Sequence, residues 1–247
     1  MTGDAILLKP KTAEKELTKM KGILIVIEGT DGSGKGTQAK LLVQHLRDTG
    51  IPSILVSYPK YDTPTGQLIG NFLAGDFGSA DKHHPKMVSA LFALDRAANK
   101  AEIDKALAEG YVVVCDRYVE SNIVYQCSEL PSAERKNFRE WLEDLEYKGV
   151  GLTRPDCTFF LDVPPEVSRR LVLEKEGRLY TDKKEDLYES RHDYLKEVYV
   201  VFQTIAETSG VWINIPCVTR EGVLKTVEEI GDMVYNDFMK YVPQANL

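Results

Sequence analysis

Five short apolar runs recur along the chain: ILIVI (23–27), SILVS (53–57), YVVVC (111–115), CTFFL (157–161) and VWINI (211–215). They alternate little between apolar and polar, the pattern of strands covered on both faces of a parallel sheet. Between them the apolar positions fall three and four residues apart, which predicts helices. TQAKLLVQHLRDTG (37–50) ends at Gly50, PKMVSALFALDRAANKAEIDKALAEG (85–110) at Gly110, and SAERKNFREWLEDLEYKG (132–149) at Gly149. A glycine there supplies the left-handed residue that closes a helix. PPEVSRRLVLEKEG (164–177), KEDLYESRHDYLKEVYVVFQTIAETSG (184–210) and REGVLKTVEEIGDMVYNDFMKYV (220–242) complete the series. The alternation predicts one α/β domain over residues 21–247, a five-stranded parallel sheet flanked by helices. Residues 1–20 read as an N-terminal extension.

Composition narrows the function classes. With 43% hydrophobic and 28% charged residues, the 247-residue chain can bury a full globular core. A net charge of −7, spread along the chain, argues against coating nucleic acid, which needs a basic face. A small anion is still admissible, because local arginines can outweigh the global sign. Cys115, Cys127, Cys157 and Cys217 are far apart in sequence and show no metal-ligand spacing, so they read as small buried hydrophobes. No apolar run reaches the ~18 residues a membrane span needs, and the N-terminus lacks a signal-peptide pattern. The expected compartment is the cytoplasm.

The chemistry concentrates first in IEGTDGSGKGTQ (27–38), which follows a strand and opens a helix. Gly29, Gly32 and Gly34 allow a tight turn whose N–H groups face inward at phosphate oxygens. Thr30, Asp31 and Ser33 complete the loop, and Lys35 reaches the outer phosphates. The helix N-terminus adds about half a positive charge. The usual Ser or Thr after the lysine is replaced by Gly36, and the hydroxyl arrives at Thr37, expected to cap the helix and meet an inner phosphate. Mg²⁺ would then be held by nucleotide, water and a carboxylate, Asp31 or Asp116.

A second set of residues could receive the phosphate. VVVCDRYVESNIVY (112–125) puts Asp116 and Arg117 at the carboxyl end of a strand, the edge where open α/β sheets bind ligands. Arg117 can fork onto phosphate oxygens, although an Asp–Arg ion pair is the plainer reading. In SALFALDRAAN (89–99), Phe92 and Arg96 are one helical turn apart, suited to stacking a base and gripping its phosphate, although core packing is the more ordinary use of that spacing.

The segments EGTDGSGKGTQ, YPKYDTPTG, LFALDRA, DRYVESNIVY and RPDCTFFLDVPPEV stand in the order found in bacterial thymidylate kinases, which the chain resembles over roughly residues 22–235. The resemblance implies a P-loop nucleoside monophosphate kinase with a mobile lid (about 168–191) that converts dTMP to dTDP with Mg-ATP as a homodimer. It implies that Phe92 stacks on thymine, that Arg96 and Arg117 hold the monophosphate and the base edge, and that Asn122 also reads that edge. Tyr125 would sit where a 2′-hydroxyl would project, Tyr61 near the acceptor, and Asp31 at the acceptor sugar or the metal.

The chain departs from the family pattern in two places. Lys60 stands where the family commonly has arginine. Gly32 stands where some relatives carry a loop arginine, so lid residues must supply the transition-state charge. Of Arg169, Arg170, Arg178 and Arg191, the reading selects Arg178 and Arg170. Phosphoryl transfer to an already ionised phosphate needs positioning and charge neutralisation but no general base. The alternatives are a deoxynucleoside monophosphate kinase of other base preference and a nucleotide-binding switch without catalysis.

Overall fold

The computed structural model describes residues 22–174 and 186–241. Its strands are β1 (Ile23–Glu28), β2 (Ser53–Ser57), β3 (Val112–Asp116), β4 (Cys157–Asp162) and β5 (Trp212–Pro216). They form one parallel sheet in the order β2-β3-β1-β4-β5. The helices are α1 (Lys35–Asp48), α2 (Pro64–Ala74), α3 (Pro85–Ala108), α4 (Val119–Ser128), α5 (Ser132–Glu143), α6 (Pro165–Glu174), α7 (His192–Thr208) and α8 (Val227–Tyr241). A π-helical turn, Asp144–Gly149, continues α5.

The pleat divides the core in two. Leu24, Val26, Val113, Cys115 and Phe160 face one side and pack beneath α2, α3, α4, α5 and α7. Ile23, Ile25, Ile27, Val114, Phe159 and Leu161 face the other, beneath α1 and α8. The central strands β1, β3 and β4 therefore send successive side chains into opposite dry layers, which is why their runs are continuously apolar. All four cysteines are free and buried within these layers, as their sequence setting suggested.

Four helix assignments differ from the sequence pattern, among them α8, which begins at Val227 rather than at Arg220. α2 was hidden by Gly66 and Gly70, yet Gly66 has a packing reason: a Cβ there would lie 1.8 Å from the Lys60 carbonyl oxygen. Its ends are conventional, with the Thr63 hydroxyl accepting from Gly66 N–H at 3.2 Å and Gly75 closing it in the left-handed region. α4 is buried on every side and so shows no amphipathic period. The helix expected from 184 begins only at His192; Asp186 instead heads a separate turn, accepting from the N–H groups of Tyr188 and Glu189.

Register positions the site. Ile27 pairs with Asp116 across β1 and β3, so the loop after β1 and the Asp116-Arg117-Tyr118 segment leave the sheet side by side. The two anion-seeking segments, 75 or more residues apart in sequence, meet at the carboxyl edge.

Candidate active site

The loop after β1 has the backbone its glycines foretold. Gly29, Gly32 and Gly34 take φ of 153°, 82° and 88°, values that L side chains rarely adopt. Gly32 is also fixed by crowding, since a Cβ there would lie 2.2 Å from the Ser168 carbonyl oxygen of α6. In this arrangement no arginine can occupy that position. Gly34 is the residue before α1, and no side chain caps that helix, so its first N–H groups are open to an anion.

Thr37 is a correction to the sequence reading. It is exposed in the first turn of α1 and does not cap the helix. Buried hydroxyls are found earlier in the loop, where Thr30 Oγ1 and Ser33 Oγ have no partner among the described residues.

Lys35 is buried at 6% exposure, and its Nζ donates to the Thr30 carbonyl oxygen at 2.7 Å. Burial, reinforced by the nearby Arg117, lowers its pKa to about 8 against the pull of Asp31, Asp116 and Glu28. Gly36 borders the carboxylate of Asp116: a Cβ there would come within 2.8 Å of Asp116 Oδ2. The missing hydroxyl after the lysine is thus accounted for by space kept open beside Asp116. Of the two proposed metal carboxylates, Asp116 has the fitting surroundings. Asp31 is already ion-paired with Arg117 and accepts from the Tyr125 hydroxyl at 2.7 Å. Among the described residues, no group of three or more His, Cys, Asp or Glu could hold a metal unaided.

Arg117 is the sole described non-glycine residue with positive φ, at 65°. Such a conformation costs on the order of 1–2 kcal/mol and here directs the guanidinium back over the loop. Its backbone N–H donates to Ile27 at 3.2 Å, its Nη1 to Ser121 Oγ at 3.1 Å, and its charge faces Asp31. Glu28, which the sequence reading missed, underlies this turn. Fully buried at the end of β1, it accepts from Tyr118 N and Ser121 N at 3.0 Å each and from Ser121 Oγ at 2.6 Å. Burial raises its pKa, with Arg117 and Ser121 opposing.

Beside the loop lies an open cleft, with about 640 Å³ of space unfilled by protein atoms when the adjoining solvent is included. Asp31, Tyr61, Phe92, Arg96, Arg117, Asn122 and Tyr125 all line it. Those residues come from the loop after β1, the segments after β2 and β3, and helices α3 and α4, and only the fold unites them.

Arg96, expected at the monophosphate and the base edge, is paired with a carboxylate within the chain. It is 2% exposed and forks Glu146, with Nε to Oε2 at 2.7 Å and Nη2 to Oε1. Burial works against its charge, but Glu146 holds it protonated above the ordinary arginine range. Lys60 does not line the cleft. Its ammonium pairs with Glu102 of α3, while its backbone N–H donates to Asp95 at 3.0 Å.

The lid residues divide. Arg178 lies outside the described residues. Arg169 and Arg170 are both exposed on α6, but of the two it is Arg169 that lines a small cleft with Thr30, Asp31 and Val172 against the phosphate loop. Helix phase decides this, because Ser168 and Val172 form the inward face and Arg169 flanks it toward the loop. Arg191 forks Glu129 and stacks on Tyr194 at 4.3 Å, a structural engagement.

The chain is similar to known proteins over most of its length. The thymidylate kinase family model matches residues 27–230. The thymidylate kinase of Plasmodium falciparum is 30% identical over 229 residues, 93% of either chain. That of Exiguobacterium is 32% identical over 85% of this chain and 97% of its own, and the probable thymidylate kinase of Pyrococcus horikoshii is 37% identical over 72% and 83%. A solved thymidylate kinase from Candida albicans shares the fold with a TM-score of 0.67 at 24% identity, covering 90% of this chain and 93% of its own. With the family model spanning most of its length, the chain belongs to the thymidylate kinase family.

Proposed function

We propose that this chain transfers the γ-phosphoryl group of ATP to dTMP, releasing ADP and dTDP, with Mg²⁺ on the donor. The observation that carries the proposal is the meeting of Asp31 in the phosphate loop with Arg117 and Tyr125 in the cleft that Phe92 and Asn122 line. Donor and acceptor sites share a wall, as an in-line displacement needs. The acceptor phosphate oxygen forms the new P–O bond as the bond to the β-phosphate oxygen breaks. The acceptor oxygen is already ionised, so no base is required.

Each group then has a role. Loop N–H groups and Lys35 hold the donor phosphates, and Arg117 turns from Asp31 toward the acceptor phosphate when it arrives. Phe92 stacks on the base, Tyr61 flanks the acceptor, and Tyr125 sits by the sugar, its hydroxyl kept protonated by burial and Asp31. Asp116 is the carboxylate suited to the Mg²⁺ shell, where the ion supplies charge neutralisation for the donor phosphates. Arg169, facing the loop, takes the transition-state role first assigned to Arg170, alongside Arg178.

The partners are ATP, dTMP and a second copy of the chain. Met87 and Leu94 on α3, 69% and 50% exposed, and Leu68 on α2 offer an apolar stripe for homodimer pairing. Among the described residues no helix is long and apolar enough to cross a membrane, in keeping with a cytoplasmic role.

ADP release measured with dTMP, UMP, dCMP and AMP tests the proposal. A kcat/KM for dTMP at least tenfold above the others is expected. Equal turnover of all four would remove the thymidylate assignment, and ATP binding without any transfer would favour the switch.

A further inference from the structure

Glu146 is 0% exposed, sits in a π-helical turn outside the phosphate loop, and has no part in the transfer described above. Yet it holds two residues of the acceptor cleft at once. Its Oε1 takes Arg96 Nη2 and Asn122 Nδ2, the latter at 2.8 Å, and its Oε2 takes Arg96 Nε at 2.7 Å. Asn122 Nδ2 also donates to the Ser89 carbonyl oxygen at 3.0 Å, so both amide hydrogens are engaged and the amide cannot turn over without loss. Asn122 Oδ1 is left buried and without a partner among the described residues. Arg96 Nη1 has only a long contact, 3.4 Å, to the Tyr118 carbonyl oxygen. Both residues line the cleft.

The remaining groups therefore form a fixed pattern: guanidinium N–H donors from Arg96 and one acceptor from Asn122. We propose that Glu146 is a positioning residue that sets base choice, by orienting Arg96 and Asn122 to match a pyrimidine whose ring N–H adjoins a carbonyl. Thymine offers N3–H to Asn122 Oδ1 and O4 to Arg96. Cytosine offers the reverse, an unprotonated N3 and an amino group, and would set acceptor against acceptor and donor against donor. A buried polar atom left unmatched is what makes such a site selective. This inference rests on the dTMP kinase reading.

Glu146→Gln keeps the shape but replaces one accepting oxygen by an NH₂ group, so Arg96 or Asn122 loses its anchor. The ratio of kcat/KM for dTMP over dCMP is expected to fall at least about tenfold, chiefly through a higher KM for dTMP. Glu146→Asp, one methylene shorter, cannot span both partners and should lower the ratio as well. A purely structural role would depress both acceptors alike, and an unchanged ratio overturns the proposal.

Should neither variant fold, a crystal of the wild-type protein with dTMP decides. The Arg96–Glu146 fork should persist with Arg96 Nη1 on O4 and Asn122 Oδ1 on N3. A broken fork with Arg96 on the phosphate overturns the proposal. Wild-type protein that fails to phosphorylate dTMP would instead defeat the underlying reading.

Discussion

Burial of Lys35 makes donor binding sensitive to alkaline pH. The fall of its pKa from 10.5 to about 8 corresponds, at ~1.36 kcal/mol per pH unit, to on the order of 3 kcal/mol. Burial is its largest cause, and Arg117 adds to it. Bound phosphate would replace the lost solvation and keep the ammonium charged. The sign follows from linkage. Below pH 8 Lys35 is protonated in both free and bound states, and affinity for ATP does not depend on its titration. Above pH 8 the free protein has released the proton and must take it back to bind, so affinity falls. At pH 9 about one free molecule in eleven carries the charge, and Kd should be about tenfold higher than at pH 7.5. The phosphates themselves, with second pKa values ~6, are fully ionised throughout this range. Calorimetry with a non-hydrolysable ATP analogue from pH 7.5 to 9.5 measures the slope. Lys35→Met should bind more weakly and lose the slope. A flat profile for the wild type, or the same slope in Lys35→Met, would refute the argument. The same titration has a stability counterpart. Between pH 8 and 10.5 the folded chain sheds a proton that the unfolded chain keeps, so the ligand-free protein gains stability from Lys35 as pH rises.

Three further outcomes are expected. Phe92→Ala should raise KM for dTMP by about 5- to 100-fold, the equivalent of ~1–3 kcal/mol of base stacking, with kcat less affected; an unchanged KM would place the base elsewhere. Arg169→Ala should lower kcat at least tenfold while Arg170→Ala leaves it within about twofold, and the reverse order would contradict the helix phase of α6. Asp116→Asn should raise the Mg²⁺ concentration needed for half-maximal rate by about tenfold or more, and an unshifted Mg²⁺ titration would remove Asp116 from the metal shell.

What was legible in the sequence was mostly contiguous. The phosphate loop lies within one twelve-residue stretch whose glycines, lysine and flanking strand and helix state its purpose together. The sheet was legible because strands covered on both faces must be apolar throughout. The cleft was legible in part: DRYVESNIVY and LFALDRA name its side chains, but their meeting depends on the pairing of Ile27 with Asp116, a register no local pattern encodes.

Glu28 and Glu146 were not legible. Each is a carboxylate whose burial is set by tertiary contacts, and Glu146 sits in a charge-rich stretch that reads as a solvated helix face. Phe138, Leu142 and Glu146 follow one another at intervals of four and share one face of the helix and its π-helical continuation, and all three are buried. The proposed preference for Arg169 over Arg170 likewise rests on packing that no local pattern encodes. Both are adjacent cations in sequence, and only the orientation of α6 against Gly32 separates them.

The account turns on donor and acceptor phosphates lying in line across the wall shared by Lys35, Asp31 and Arg117. A crystal structure with dTMP and a non-hydrolysable ATP analogue measures this directly. The acceptor oxygen should lie ~3–3.5 Å from the γ-phosphorus, with thymine against Phe92 and the donor phosphates on Gly29–Lys35. Thymidylate bound away from Phe92 and Arg117, or phosphates too far apart for any closure to bring together, would contradict it.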